Sequence, residues 1–138
     1  MDMSQAFASL NWWAIIVASL SNFIIGGVWY SPIMFGRQWM EVNRFTDEDL
    51  KKGNQGTIFG GGYILAFISA FNLAMFLGPQ SDVSFGIAAG ALAGIGWVST
   101  SMGIIYLFER KSGRHFFINA GCQVVTFIVM GAILGAWK

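Results

Sequence analysis

The residues able to do chemistry inside the apolar parts of this chain are neutral. Asn119, Gln123 and Thr126 recur at helical spacing on one face of the closing segment, and Ser19, Asn22, Gly26 and Trp29 do the same near the start. Ser69 and Asn72 form a further pair, and Trp97, Thr100 and Ser101 a further set. Amides, hydroxyls and indoles exchange hydrogen bonds without carrying charge. A site built from them binds rather than reacts. The long apolar runs hold no Asp, Glu, Lys or Arg, whereas a proton-coupled exporter needs an ionisable group inside the membrane. His115, the only histidine, follows Arg114 at the edge of the last apolar run and reads as interfacial. Cys122, the only cysteine, has no disulfide partner and reads as a small buried residue. No set of ligands for a metal is in sight, and no nucleophile has a visible base. We therefore expect no enzyme, no cofactor and no metal. A net charge of +1 without a basic patch gives no reason to expect nucleic acid as a partner.

These polar residues need elements to position them, and composition says what those are. Of the 138 residues, 55% are hydrophobic and only 11% are charged, where a soluble domain carries about 25% charged residues. A span needs about 20 apolar residues to cross about 30 Å of hydrocarbon. Segments near Trp12–Met34, Thr57–Gly78, Ser84–Phe108 and His115–Trp137 meet that requirement. The expected fold is all-α, a single integral membrane domain over residues 1–138 with four transmembrane helices in a bundle. The first eleven residues lack a basic n-region, and the first apolar run is too long for a cleavable signal. Basic residues gather in the connections: Arg37, Arg44, Lys51 and Lys52 in the loop of about 36–56, and Arg110, Lys111 and Arg114 in "ERKSGR", against Lys138 alone on the other side. The positive-inside rule then makes both connections cytoplasmic and places both termini outside. Trp12, Trp13 and Trp137 fit the outer interface.

The stretch "GGVWYSPIMFGRQWM" marks where the first helix leaves the membrane. Pro32 disfavours helical geometry at Ser31, so Tyr30, Ser31, Pro32 and Trp39 read as a helix-exit device, with Tyr30 and Trp39 at the headgroups. Trp29 is expected to turn inward beside Trp97. The segment "IMFGRQWM" would lie along the membrane surface. Beyond it, Thr46 and Asp49 have the spacing of a capping box, opening a short cytoplasmic helix over about Asp47–Lys52.

Small residues supply the packing. Gly86, Gly90 and Gly94 recur every four residues in the third span, and Gly131 and Gly135 repeat the spacing in the fourth. Glycine faces let membrane helices approach closely. The seam lies either within one chain or between copies in a homo-oligomer. The polar residues likewise admit two readings. They are hydrogen-bonding glue between helices, or they line an intramembrane cavity made by Asn22, Trp29, Asn72, Trp97, Asn119 and Gln123. At about 1.5 Å per residue, Asn22 and Gln123 fall at similar depth, where two amides could meet. Gly26-x-x-Trp29-x-Ser31 also echoes Gly94-x-x-Trp97-x-Ser99, a faint sign of duplicated hairpins.

The pieces Asn11-Trp12, Trp29-Tyr30-Ser31-Pro32, Ile118-Asn119-Ala120-Gly121 and the closing run from Gly131 to Trp137 resemble the domain-of-unknown-function 1761 family of small bacterial membrane proteins. The resemblance covers nearly the whole chain. It implies four transmembrane helices and a prokaryotic source, and it assigns no activity and no site residue. The function expected is that of a structural or accessory helix-packing protein in the bacterial cytoplasmic membrane, assembled as a homo-oligomer. The alternative is a passive facilitator or binder of a small neutral or amphipathic molecule or lipid through the polar-aromatic cavity.

The charge asymmetry yields a labelling test. A cysteine at Ser112 should be shielded from a membrane-impermeant thiol reagent in intact cells, and one at Met3 should react; the reverse pattern would invert the orientation.

Overall fold

Each long helix begins where a short polar side chain accepts a hydrogen bond from a free backbone N–H group. The computed structural model describes residues 2–138. Asp2 opens α1 (Met3–Ala8) and Asn11 opens α2 (Trp12–Trp29). α3 (Gly36–Asn43) and α4 (Asp47–Lys51) follow, the latter opened by the Thr46–Asp49 capping box. The Thr46 backbone N–H, donating to the Asp49 carboxylate, holds that carboxyl below its ordinary range. Asn54 caps α5 (Gln55–Leu77), Asp82 caps α6 (Val83–Ala93) and Ser112 caps α8 (Gly113–Ala136). A π-helical turn, Gly94–Ser99, joins α6 to α7 (Thr100–Phe108), so the third span is one interrupted helix.

Four of these units are long and apolar enough to cross a membrane: Trp12–Trp29, Gln55–Leu77, Val83–Phe108 and Gly113–Ala136. The chain is an all-α polytopic membrane protein. Its two charge-bearing connections share one end, where Arg114 Nη2 lies 2.9 Å from Glu41 Oε2. The termini and the short connection after α5 share the other. There Lys138 Nζ donates to the Gly78 carbonyl at 2.9 Å and to Ser81 Oγ. Gly78 adopts φ 73° ahead of Pro79, a geometry that favours glycine.

Three details depart from the sequence reading. The first span ends at Trp29 rather than Met34, because Pro32 withdraws Ser31 from the helix and a tight turn follows. That turn satisfies its own backbone: Phe35 N–H donates to the Trp29 carbonyl and Gly36 N–H to the Ser31 carbonyl, both at 2.9 Å. Gly36 must be glycine, since a Cβ there would sit 2.8 Å from the Ser31 carbonyl carbon. Second, the segment before the first span forms the extra helix α1, whose Phe7 ring meets Trp12 and Phe71 edge-on. Third, the π-helical turn had no proline to announce it. Its extra carbonyl acceptors are met by hydroxyls, Ser99 Oγ donating to the Gly94 carbonyl and Thr100 Oγ1 to the Gly96 carbonyl, both at 2.7 Å.

Helix α8 lies between α2 and the third span. Its contact with α6 is made by backbone. A Cβ on Gly86 would land on the Gly131 carbonyl, 2.9 Å from its carbon, and one on Gly90 would lie 2.8 Å from the Phe127 carbonyl carbon. Gly135 meets the Asp82 carbonyl in the same way, and a Cβ on Gly94 would be 3.0 Å from Val124 Cα. All five glycines of the two stripes therefore serve a contact inside one chain. On the opposite side of α8, α2 packs on α5 through rings, with Trp12 stacked on Phe67 and Phe71 and Phe23 on Tyr63. The fully apolar core, including Ile15, Ala18, Leu73, Leu77, Met130 and Leu134, lies in the half of the membrane layer nearer the termini. Towards the charged end the backbone contacts stop and rings fill the gap, Phe116 against Gly103 and Tyr106 against His115.

A Cβ at a backbone contact should cost what overpacking costs, about 1–3 kcal/mol. Gly90→Ala should lower the denaturation midpoint in detergent accordingly. Gly61→Ala, where nothing lies within 4 Å, should be neutral or stabilise by up to about 1 kcal/mol through helix propensity. Equal midpoints for the two variants would refute the backbone seam.

Candidate functional site: a lateral groove and a polar clasp

Because the third span is drawn onto α8, it touches α5 only lightly, and a groove opens sideways between them. Its volume is about 620 Å³. Ser69, Asn72 and Phe76 come from α5, Phe85, Leu92 and Trp97 from the third span, and Phe127 of α8 forms the floor. Trp97 stays 67% exposed, its ring edge-on to Phe76 at 6.2 Å, so it lines the groove without being buried. Asn72 donates to the Ile68 carbonyl at 2.9 Å. Its amide oxygen finds no partner among the described residues. Asn72 lies five residues before Leu77, the end of α5, hence about 7.5 Å along the axis at 1.5 Å per residue.

At the charged end a different arrangement joins the first, third and fourth spans. Trp29 Nε1 donates to the Ile118 carbonyl at 2.8 Å, and its ring lies so close to Gly121 that a Cβ there would be 2.9 Å from a ring carbon. Phe35, folded back by the turn at Pro32, covers the same ring at 4.9 Å. Tyr30 Oη donates to Asn119 Oδ1 at 2.7 Å, and Asn119 Nδ2 donates to Tyr106 Oη at 2.8 Å. His115, buried, meets the Tyr106 ring edge-on at 5.1 Å. The hydroxyls and the amide satisfy one another where hydrocarbon offers nothing else.

The six residues expected to share one cavity are thus divided. Asn72 and Trp97 line the groove; Trp29 and Asn119 belong to the clasp. Trp29 does not stand beside Trp97, because Trp29, at the end of α2, faces α8, while Trp97 faces α5 from the third span. Asn22 and Gln123 are half-buried, and no side-chain hydrogen bond involves either among the described residues, so the expected amide pair is not formed. Thr126 is buried with its hydroxyl unpartnered. Tyr30 is not a headgroup anchor: the turn at Pro32 aims its hydroxyl at Asn119, with Trp39 packed edge-on at 5.5 Å. Ser31 Oγ donates to the Val28 carbonyl at 2.6 Å and so closes the helix end. The echo between the Trp29 and Trp97 segments joins unlike structures, an α-helix end and a π-helical turn.

Tyr106 escaped the sequence reading, and a signal for it existed. Reflecting the chain about the middle of the short "ERKSGR" connection places Tyr106 opposite Phe117, within two residues of His115 and Phe116, whose rings it meets. Phe35 and Glu41 had no comparable signal, since their partners depend on how the turn at Pro32 folds back.

A neutral lateral groove beside four apolar spans defines a membrane protein with no charged residue at the groove. The family model described as Protein of unknown function (DUF1761) matches residues 13–135, and the chain belongs to that family. Comparison with curated proteins and with solved structures found no match.

The clasp is testable by a double-mutant cycle on Tyr30→Phe and Asn119→Leu in detergent unfolding. Interhelical bonds of this kind couple by about 0.6 kcal/mol on average and up to about 1.7. A positive coupling in that range is expected, and strict additivity would mean that the bond contributes nothing.

Proposed function

We propose that this protein is a non-enzymatic component of the bacterial cytoplasmic membrane that holds the apolar part of a neutral amphipathic molecule, such as a lipid, in the groove between α5 and the third span. The observation that carries the reading is the groove itself, about 620 Å³ and lined mainly by apolar side chains. Ligand pockets run to about 300–1,000 Å³ with a few placed polar groups. Asn72 is such a group, with a free amide oxygen set below the end of α5 nearer the termini. A hydroxyl-bearing head that donates to this oxygen, with an apolar chain lying against Phe76, Leu92 and Trp97, satisfies both the amide and the apolar walls. With the basic connections in the cytoplasm, the groove opens to the outer leaflet.

A second reading is supported by the same amide. Copies related by an axis along the membrane normal place identical residues at identical depth. Asn72 of one copy would then meet Asn72 of another, and the groove would be a homo-oligomer seam. The glycine stripes lend this reading no support, since the contact between α6 and α8 uses them.

Filling the groove separates the two. Ala88 of α6 also lines the groove, and Ala88→Trp should reduce the amphiphile that co-purifies with the protein by about tenfold, equivalent to about 1.4 kcal/mol, read by native mass spectrometry, with oligomer mass unchanged. A shift in oligomer mass with unchanged amphiphile content favours the seam. No change in either measurement would mean that the groove meets only bulk lipid.

A further inference from the structure

The clasp leaves a second hollow on the opposite side of the molecule, at the charged end. Trp29, Phe35, Phe117, Ile118 and Gly121 form its walls, Gln38 and Arg114 its polar mouth, and its volume is about 440 Å³. Phe117 and Gly121 also border the furrow between α7 and α8, about 550 Å³, which continues past Val124 to Ile95. The two spaces therefore run on from one another along α8, polar at the mouth and apolar below.

We propose that this track binds an anionic phospholipid of the leaflet facing the charged connections, with its phosphate on Arg114 and an acyl chain over Phe117 and Gly121. The walls argue against a free anion as occupant. Inorganic phosphate would use Arg114 and Gln38 and leave the aromatic hollow empty. A guanidinium at the membrane edge suits phosphate, since its fork of donors matches two oxygens. The surrounding charge agrees: seven of the eight basic residues lie at this end, against five of the seven acids. An anionic leaflet surface attracts such a segment.

Glu41 is the opposing charge. Its carboxylate holds Arg114 at 2.9 Å, and the two side chains are 65% and 50% exposed. An exposed pair of this kind contributes little to stability, so a phosphate can take the place of the carboxylate. Glu41 then acts as an internal competitor that keeps Arg114 aimed along the mouth until a lipid arrives. Arg37, one helical turn before Glu41 on α3, and Arg110 and Lys111 in the connection are exposed and add attraction without closing the site.

The pair gives the test its discrimination, because Arg114→Gln and Glu41→Gln remove the same ion pair. Full-length protein is placed in phosphatidylcholine nanodiscs doped with phosphatidylglycerol, and retained lipid is counted by native mass spectrometry. Arg114→Gln should lower phosphatidylglycerol retention about tenfold, and Glu41→Gln should raise it several-fold. If both variants move retention in the same direction, or neither moves it, the pair is only a structural tie and the proposal fails. It fails equally if phosphatidylcholine is retained as well as phosphatidylglycerol, or if inorganic phosphate displaces the bound lipid. Groove variants such as Ala88→Trp should leave this retention unchanged, so the two sites fail or stand separately.

Discussion

The contact that the rest of the molecule depends on is the one between the backbones of α6 and α8. In lipid there is no hydrophobic gain from bringing two apolar helices together, because the solvent is as apolar as the side chains. What remains is close dispersion contact and local dipole interaction, and both need the helices near. Gly86, Gly90 and Gly94 against Gly131 and Gly135 allow an approach at which a single added carbon would collide with a carbonyl. The third span is committed to α8 along this line. It is thereby held off from α5, and the lateral groove is the space that results.

At the other end of the third span the glycines give way to polar and aromatic contacts. Where the helices part, the π-helical turn leaves backbone carbonyls without their usual partners, and Ser99 and Thr100 satisfy them. The gap between α2, α7 and α8 is bridged by Tyr30, Asn119 and Tyr106 instead of apolar interdigitation. The molecule thus has a dry, close-packed half near its termini and a hydrogen-bonded half near its charged connections. The turn at Pro32 is what joins them. By ending α2 at Trp29 it turns Tyr30 inward and folds Phe35 back over Trp29, which builds one wall of the hollow below Arg114.

The two spaces differ in chemistry in ways that follow from their depth. The groove beside α5 lies within the apolar layer, and its polar content is limited to uncharged groups such as Asn72 and Ser69. The hollow beside α3 reaches the charged end and carries Arg114 with its counter-ion Glu41. A charged residue at the first position would be costly in hydrocarbon. At the second it can reach water, because a long side chain keeps its head at the interface.

Much of the architecture was legible in the sequence, for reasons that are local. Span length answers to hydrocarbon thickness, so four apolar runs meant four spans. Caps answer to neighbours three residues away, so the Thr46–Asp49 box could be read directly. Charges avoid hydrocarbon, so their clustering showed which connections share an end. Rotation and pairing of the helices were decided only in the tertiary structure. In a soluble protein the apolar face of a helix points to the core, but here every face is apolar and carries no such pointer. Gly86 and Gly131 announced close contact without saying with which helix, or in which copy. Trp29 and Trp97 looked alike in sequence, and only the packing of the third span on α8 sent one to the Ile118 carbonyl and left the other open beside Phe76. Asn22 and Gln123 matched in depth but not in facing, since depth follows from residue count and facing from the angle at which two helices meet.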